Sequence, residues 1–272
     1  MFKKNPGWFD RKIRQKVADP GSGAFEDTCF GLARMPAEQK KDAVLAHFKQ
    51  VAPGYDFMNT VLSFGIHYAW KRRAVAMLDL KPGQRVLDVC GGTGDLAVYA
   101  AGWIGPQGRS VIYDMNREMM LVGMNRQQNR MYRDRIFCVR GDAEEMALPG
   151  NYFDAAMVGF GIRNLTSIRR GLSEMHRVLR PGGRIMCLEF SKPVNPVFRY
   201  VYDLYSFYAM PLAGRLLAGS SRSYACLSET IRMFATADEL ADMFEQAGFS
   251  DVSYRRLTNG IAAVHTGRKP AG

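Results

Sequence analysis

The sequence predicts an α/β protein, a mostly parallel twisted sheet of seven strands with helices on both faces and a C-terminal antiparallel hairpin. Three observations predict it. From residue 85 onward, short β-branched or apolar runs (86–89, 110–113, 136–139, 153–158 and 184–190) alternate with helical patterns, which implies right-handed crossovers between parallel strands. A glycine-rich turn, Cys90-Gly91-Gly92-Thr93-Gly94, directly follows the first run, where residues without a Cβ let a strand bend tightly into a helix. After Met233 the pattern changes: Thr236 and Glu239 form a capping box for a helix through Glu245, and two further runs, 252–257 and 261–266, flank Thr258-Asn259-Gly260. An Asn-Gly pair between strands signals a hairpin.

Residues 1–29 carry weak periodicity and the punctuating cluster Asp19-Pro20-Gly21-Ser22-Gly23, so they read as a poorly ordered basic arm. The start lacks the apolar core of a secretory signal, and Asp10 and Asp19 argue against a transit peptide. The domain is expected to span 30–269, with a helical lid over 30–80 and a substrate-side insertion over 192–235. In the lid, Val44, Leu45, Phe48 and Val51 recur at helical spacing, and 70–80 is helical again.

With 272 residues, 47% of them apolar, the chain can bury one substantial core. Apolar runs fall well short of the ~20 residues that a membrane-spanning helix requires. Lysines and arginines outnumber acids 37 to 26, a net charge of +11, so phosphates of nucleic acid or of anionic lipid are attracted. Cys29, Cys90, Cys138, Cys187 and Cys226 are odd in number, scattered and without a CxxC pair; reduced thiols fit them, and no metal site is indicated.

Asp88, at the end of the first strand, lies three residues before Gly91-Gly92-Thr93-Gly94, and the spacing lacks the third glycine of a dinucleotide turn. A dinucleotide presents an anionic pyrophosphate at such a turn, whereas S-adenosylmethionine (SAM) presents a sulfonium and an ammonium. An acid therefore favours SAM. Asp114 ends the second strand, followed by Met115, in register to accept from ribose hydroxyls, although an acid there can also be a simple cap. Asp142 and Ala143 end the third strand, placed for the adenine amino group and ring face. Gly159 and Phe160 end the fourth, and Leu179-Arg180-Pro181-Gly182-Gly183 precedes the fifth.

With this series the chain resembles a Rossmann-like class I SAM-dependent methyltransferase. The segments at 51–73 (VAPGYDFMNTVLSFGIHYAWKRR), 87–96 (LDVCGGTGDL), 159–164 (GFGIRN), 177–193, 202–214, 223–234 and 257–267 resemble the demethylmenaquinone and ubiquinone-pathway C-methyltransferases. The resemblance implies methyl transfer from SAM to a ring carbon of a prenylated hydroquinone, in the cytoplasm at the inner face of an anionic membrane; a homodimer is compatible with it. The aromatic run at 198–208 would line an apolar channel or pack a core.

GFGIRN replaces the Asp/Asn-Pro-Pro-aromatic turn of base-directed enzymes, which disfavours nucleic acid. A phenol-like hydroxyl, pKa about 10, activates the ring when it loses or shares its proton, so a base or a positive partner is needed. Arg163 is the candidate for holding a phenolate, Asn164 for orienting a hydroxyl or fixing the loop, and Tyr55, Asp56 and His67 for handling protons; the alternative for Arg163 is to cap a helix or pair with an acid. Departures from the family pattern are Pro53-Gly54, the absence of an acid in 219–222, Ala235 and Asn259. They fall mainly on the acceptor side. Alternatives are another small aromatic acceptor, or a catalytically silent subunit of a quinone-biosynthesis assembly.

Overall fold

The computed structural model describes Trp8 and residues 27–30, 33–218 and 221–271. The basic arm and Gly219-Ser220 therefore fall almost wholly outside the described residues. The domain opens with a short antiparallel hairpin, β1 (Asp27–Phe30) and β2 (Ala33–Pro36), which carries no periodicity long enough to be read in sequence. Three helices follow: α1 (Ala37–Val51), α2 (Tyr55–Leu62) and α3 (Ile66–Ala76).

The sheet holds seven strands: β3 (Arg85–Val89), β4 (Arg109–Asp114), β5 (Ile136–Arg140), β6 (Phe153–Gly159), β7 (Leu179–Phe190), β8 (Ser250–Leu257) and β9 (Ala262–Arg268). Their order is β5-β4-β3-β6-β7-β9-β8. The first five are parallel, and β9 inserts antiparallel between β7 and β8. The Leu179-Arg180-Pro181-Gly182-Gly183 turn is incorporated in β7, as an irregularity where Phe153 pairs with Leu179 but Ala155 with Arg184.

Alternation along each strand sends side chains to opposite faces. Leu87, Val89, Val158 and Ile185 meet Leu172 and Met175 of α7 (Ile168–Val178) and Leu240 and Phe244 of α11 (Ala237–Gln246). Val86, Ile112, Met157 and Leu188 meet Ala97 and Ile104 of α4 (Asp95–Ile104) and Trp70 and Ala74 of α3. Both faces are covered, which is why β3 is buried without interruption from Val86 to Val89.

Local signals act as expected at the C-terminal end. Thr236 Oγ1 accepts from the Glu239 amide and the Glu239 carboxylate accepts from the Thr236 amide, capping α11. Asn259, at φ 54°, takes the left-handed turn between β8 and β9, a conformation that asparagine tolerates better than other side-chain-bearing residues.

All four histidines in the chain are held below their ordinary pKa by burial, His67 and His265 down to about 4. An unfolded chain takes up these protons from about pH 6.5, so stability is expected to fall as pH drops from 6.5 towards 4. Urea midpoints across that window check it, and His265→Gln should flatten part of the slope.

Candidate functional site

The order of strands reverses between β3 and β6, and a parallel sheet offers its ligand crevice at the carboxyl ends of such a pair. There two non-glycine residues adopt left-handed backbone, Cys90 (φ 53°) after β3 and Phe160 (φ 57°) after β6. Such strain gathers at sites where the surrounding fold enforces it. Two cavities meet at this point.

The smaller is lined by Asp88, Gly91, Gly92, Thr93, Asp114, Met115, Asp142, Ala143, Gly159 and Phe160. These are the sequence-predicted cofactor residues with one exception. Gly94 does not line the cavity: at φ 83° it caps α4, and a Cβ there would lie 2.6 Å from Ile112 Cδ1. Its glycine serves the turn. Gly91 is required for a different reason, since its Cβ would fall 2.8 Å from Asp88 Cγ.

Asp88 is wholly buried. Its Oδ2 accepts from the Ala97 amide at 3.0 Å, and its Oδ1 has no partner among the described residues. Burial pushes its carboxyl up to about 8. Asp114 accepts from the amides of Gly92 (2.9 Å) and Asn116 (2.7 Å), fixing the glycine turn against β4. Asp142 takes the Lys41 ammonium at 2.6 Å and the Glu144 amide at 2.9 Å. Each acid keeps lone pairs to spare. A cavity lined by five acids, Asp95 and Glu144 besides these three, with one orphaned oxygen on Asp88, fits a ligand carrying a sulfonium, an ammonium and a ribose.

The larger cavity, about 730 Å3, is mostly apolar, with Met58, Trp70, Phe190, Phe198, Tyr202 and Ile231 among its walls. Tyr55, Asn164, Arg163 and His67 line it, and Tyr55 and Asn164 line both cavities together with Phe48, Lys71 and Phe160. The common wall is where two bound molecules would face each other. Of the aromatic run, Tyr202 and Tyr205 reach this cavity while Tyr200 and Tyr208 are exposed.

Three candidates differ from their sequence-level roles. Arg163 is paired: its Nη1 donates to Glu189 Oε1 at 2.7 Å and to the Phe160 carbonyl at 2.5 Å, although its buried Nε has no partner among the described residues. Asp56 lines neither cavity. It bonds Arg126 at 2.7 Å and accepts from Thr93 Oγ1 at 3.0 Å, while Asp95 binds both Arg126 and Lys71 at 2.6 Å. This cluster fastens α2 and α3 to the glycine turn. His67, held near 4 and bonded through Nδ1 to Ser63 Oγ at 2.7 Å, stays neutral.

Sequence reasoning missed Lys71. It sits in the quoted WKRR segment, but the acid that holds it, Asp95, is 24 residues away, and only the fold brings them together. Burial disfavours the ammonium, yet Asp95 together with Tyr55 and Asp56 more than offsets it and raises the Lys71 pKa.

A family model described as the ubiE/COQ5 methyltransferase family matches residues 35–269. The chain belongs to that family. It is a SAM-dependent methyltransferase. It is 44% identical over 256 residues to the ubiquinone/menaquinone biosynthesis C-methyltransferase of Pseudomonas entomophila, covering 93% of this chain and 100% of that one. Its counterpart in Ectopseudomonas mendocina is 45% identical with the same coverage. Among solved structures, the [4+2]-cyclase SpnF superposes with a TM-score of 0.62 at 16% identity, covering 84% of this chain and 96% of that one. A SAM-dependent methyltransferase of Thermotoga maritima gives 0.58 at 18% identity, covering 82% and 98%. These structural likenesses establish the shared fold.

The donor site of the methyltransferase carries a testable proton linkage. At neutral pH the Asp88 carboxyl, at about 8, is mostly protonated until a cation lies against it. SAM binding is therefore expected to release up to about one proton and to tighten as pH rises towards 8. Calorimetry in buffers of different ionisation enthalpy measures it, and Asp88→Asn should abolish the release.

Proposed function

We propose that this enzyme methylates a ring carbon of a reduced, prenylated quinone precursor, demethylmenaquinol or the equivalent ubiquinone-pathway benzoquinol. The observation that carries the reading is the wall that the donor cavity and the apolar cavity share at Tyr55, Lys71, Phe160 and Asn164. The relatives' names, ubiquinone/menaquinone biosynthesis C-methyltransferase, support the pathway.

SAM supplies a methyl group already electrophilic enough to be transferred without further activation. Asp88 would hold its cationic portion, Asp114 the ribose hydroxyls, and Asp142 with Ala143 the adenine. The chain's remaining task is to place the acceptor carbon in line in a dry pocket and to favour loss of the hydroxyl proton. Lys71, buried at the common wall and held charged by Asp95, and Arg163, held by Glu189, are the cationic side chains lining that cavity beside Tyr55 and Asn164. Both stabilise a phenolate developing beside them. Tyr55 and Asn164 would orient the hydroxyl. His67 is too weak a base to keep a phenol's proton, so it shapes the wall.

In this reading residues 30–80 form the lid and 192–235 the acceptor-side insertion. The product's connectivity tests the assignment. With SAM and a short-chain demethylmenaquinol, NMR of the isolated product should show the new methyl on ring carbon; an O-methyl ether would overturn C-methylation.

A further inference from the structure

No helix of the described residues is long and apolar enough to cross a membrane, yet the surface is unevenly apolar. Of 19 exposed large hydrophobic residues among those described, 12 fall in two short segments, 57–66 and 194–217. The second segment comprises α8 (Pro196–Leu204), a π turn (Tyr205–Ala209) and α9 (Met210–Ala218), running on without a break. Val197, Val201, Leu204, Tyr208, Leu212 and Leu216 succeed one another at intervals of three or four residues, which places them along one side. Val197 and Leu216 are each 73% exposed. The first segment lies beside it: Tyr205 Oη donates to the Leu62 carbonyl at 2.6 Å, and the Phe64 ring, 85% exposed, sits 6.0 Å from that of Tyr205.

We infer that this stripe docks on an anionic lipid bilayer and opens the larger cavity directly into it. Two observations select a bilayer as the occupant. The patch is continuous with the cavity, because Phe64, Ile66 and Val201 are at once exposed and part of the cavity lining. Its charge is also of the right sign. In the 196–218 helical segment Arg215 stands next to Leu216 of the stripe, Arg199 is turned to the Pro193 and Val194 carbonyls, and the lone acid, Asp203, is ion-paired with Arg232. An apolar helical face with a cation beside it and no unpaired acid on its helix suits the headgroup boundary of an anionic membrane. A prenylated acceptor then passes from lipid to pocket with its tail still in hydrocarbon, so the inference deepens the proposed function and rests on it for its purpose.

The test needs no acceptor. The full chain is sedimented with phosphatidylcholine vesicles, with and without phosphatidylglycerol, alongside the triple variant Val197→Ser/Leu212→Ser/Leu216→Ser and the single variant Arg215→Glu. None of these residues lines a cavity. The wild type is expected to bind the anionic vesicles, the triple variant to bind at least about tenfold more weakly, and Arg215→Glu to lose affinity for anionic vesicles alone. SAM binding and transfer to a short-chain, soluble acceptor should be unchanged in all. A wild type that stays in the supernatant overturns the inference, as does a triple variant that sediments like the wild type. So does a wild type that sediments as a dimer in buffer, against a monomeric triple variant that keeps its vesicle affinity, because a second copy then covers the stripe. A wild type that binds vesicles but does not methylate the short-chain acceptor overturns the proposed function and leaves the docking surface standing.

Discussion

Asp114→Ala is expected to weaken SAM binding by roughly 10- to 100-fold while leaving turnover at saturating SAM close to wild type. The carboxylate accepts from the amides of Gly92 and Asn116, so it sets the shape of the glycine turn and presents its remaining lone pairs to the cavity. Hydrogen bonds to a charged group contribute about 1.5–3 kcal/mol each, which converts to that range of affinity. Asp114 does not line the larger cavity, and the common wall is made by other residues. Calorimetric titration and initial rates at high SAM separate the two effects. An unchanged dissociation constant would remove Asp114 from the donor site.

The second large effect is at Arg163. Alanine there would strand the Glu189 carboxylate, which is 1% exposed and which burial already pushes above its ordinary pKa. Removing one member of a buried pair costs about 3–5 kcal/mol, whereas replacing both by apolar groups of similar volume is close to neutral or stabilising. Arg163→Ala is therefore expected to lose both stability and turnover, which confounds structure with chemistry. The double variant Arg163→Met/Glu189→Leu resolves this: stability and SAM binding should recover and turnover should not. If turnover recovered as well, the guanidinium would have no part in the reaction.

Much of this was legible in the sequence because it depends on neighbours along the chain. Strand-helix alternation, the capping box at Thr236 and the Asn-Gly hairpin are local devices, and each strand of the seven-stranded sheet lies within two residues of its expected place at either end, except that β7 begins five residues early, at Leu179. Ten cofactor candidates share one cavity for the same reason: strand ends that carry a ligand are adjacent by topology. The acceptor side was less legible. Whether Arg163 is free or paired depends on Glu189, 26 residues further on. Asp56 has the chemistry of a proton carrier, but Arg126 and Thr93, brought from distant segments, make it a fastening for α2. Lys71 stands at the wall shared by the two cavities, a position that its flanking residues do not announce. The β1–β2 hairpin pairs strands of four residues each, too short for a periodic signal.

The central claim is that a donor held by Asp88, Asp114 and Asp142 meets a ring carbon made nucleophilic by its own hydroxyl. An oxidised ring has no such hydroxyl. The decisive measurement is transfer of labelled methyl from SAM to short-chain demethylmenaquinone and to its reduced quinol, side by side. The account predicts transfer to the quinol and none to the quinone. Equal transfer to both, or transfer to neither while SAM still binds, would contradict it.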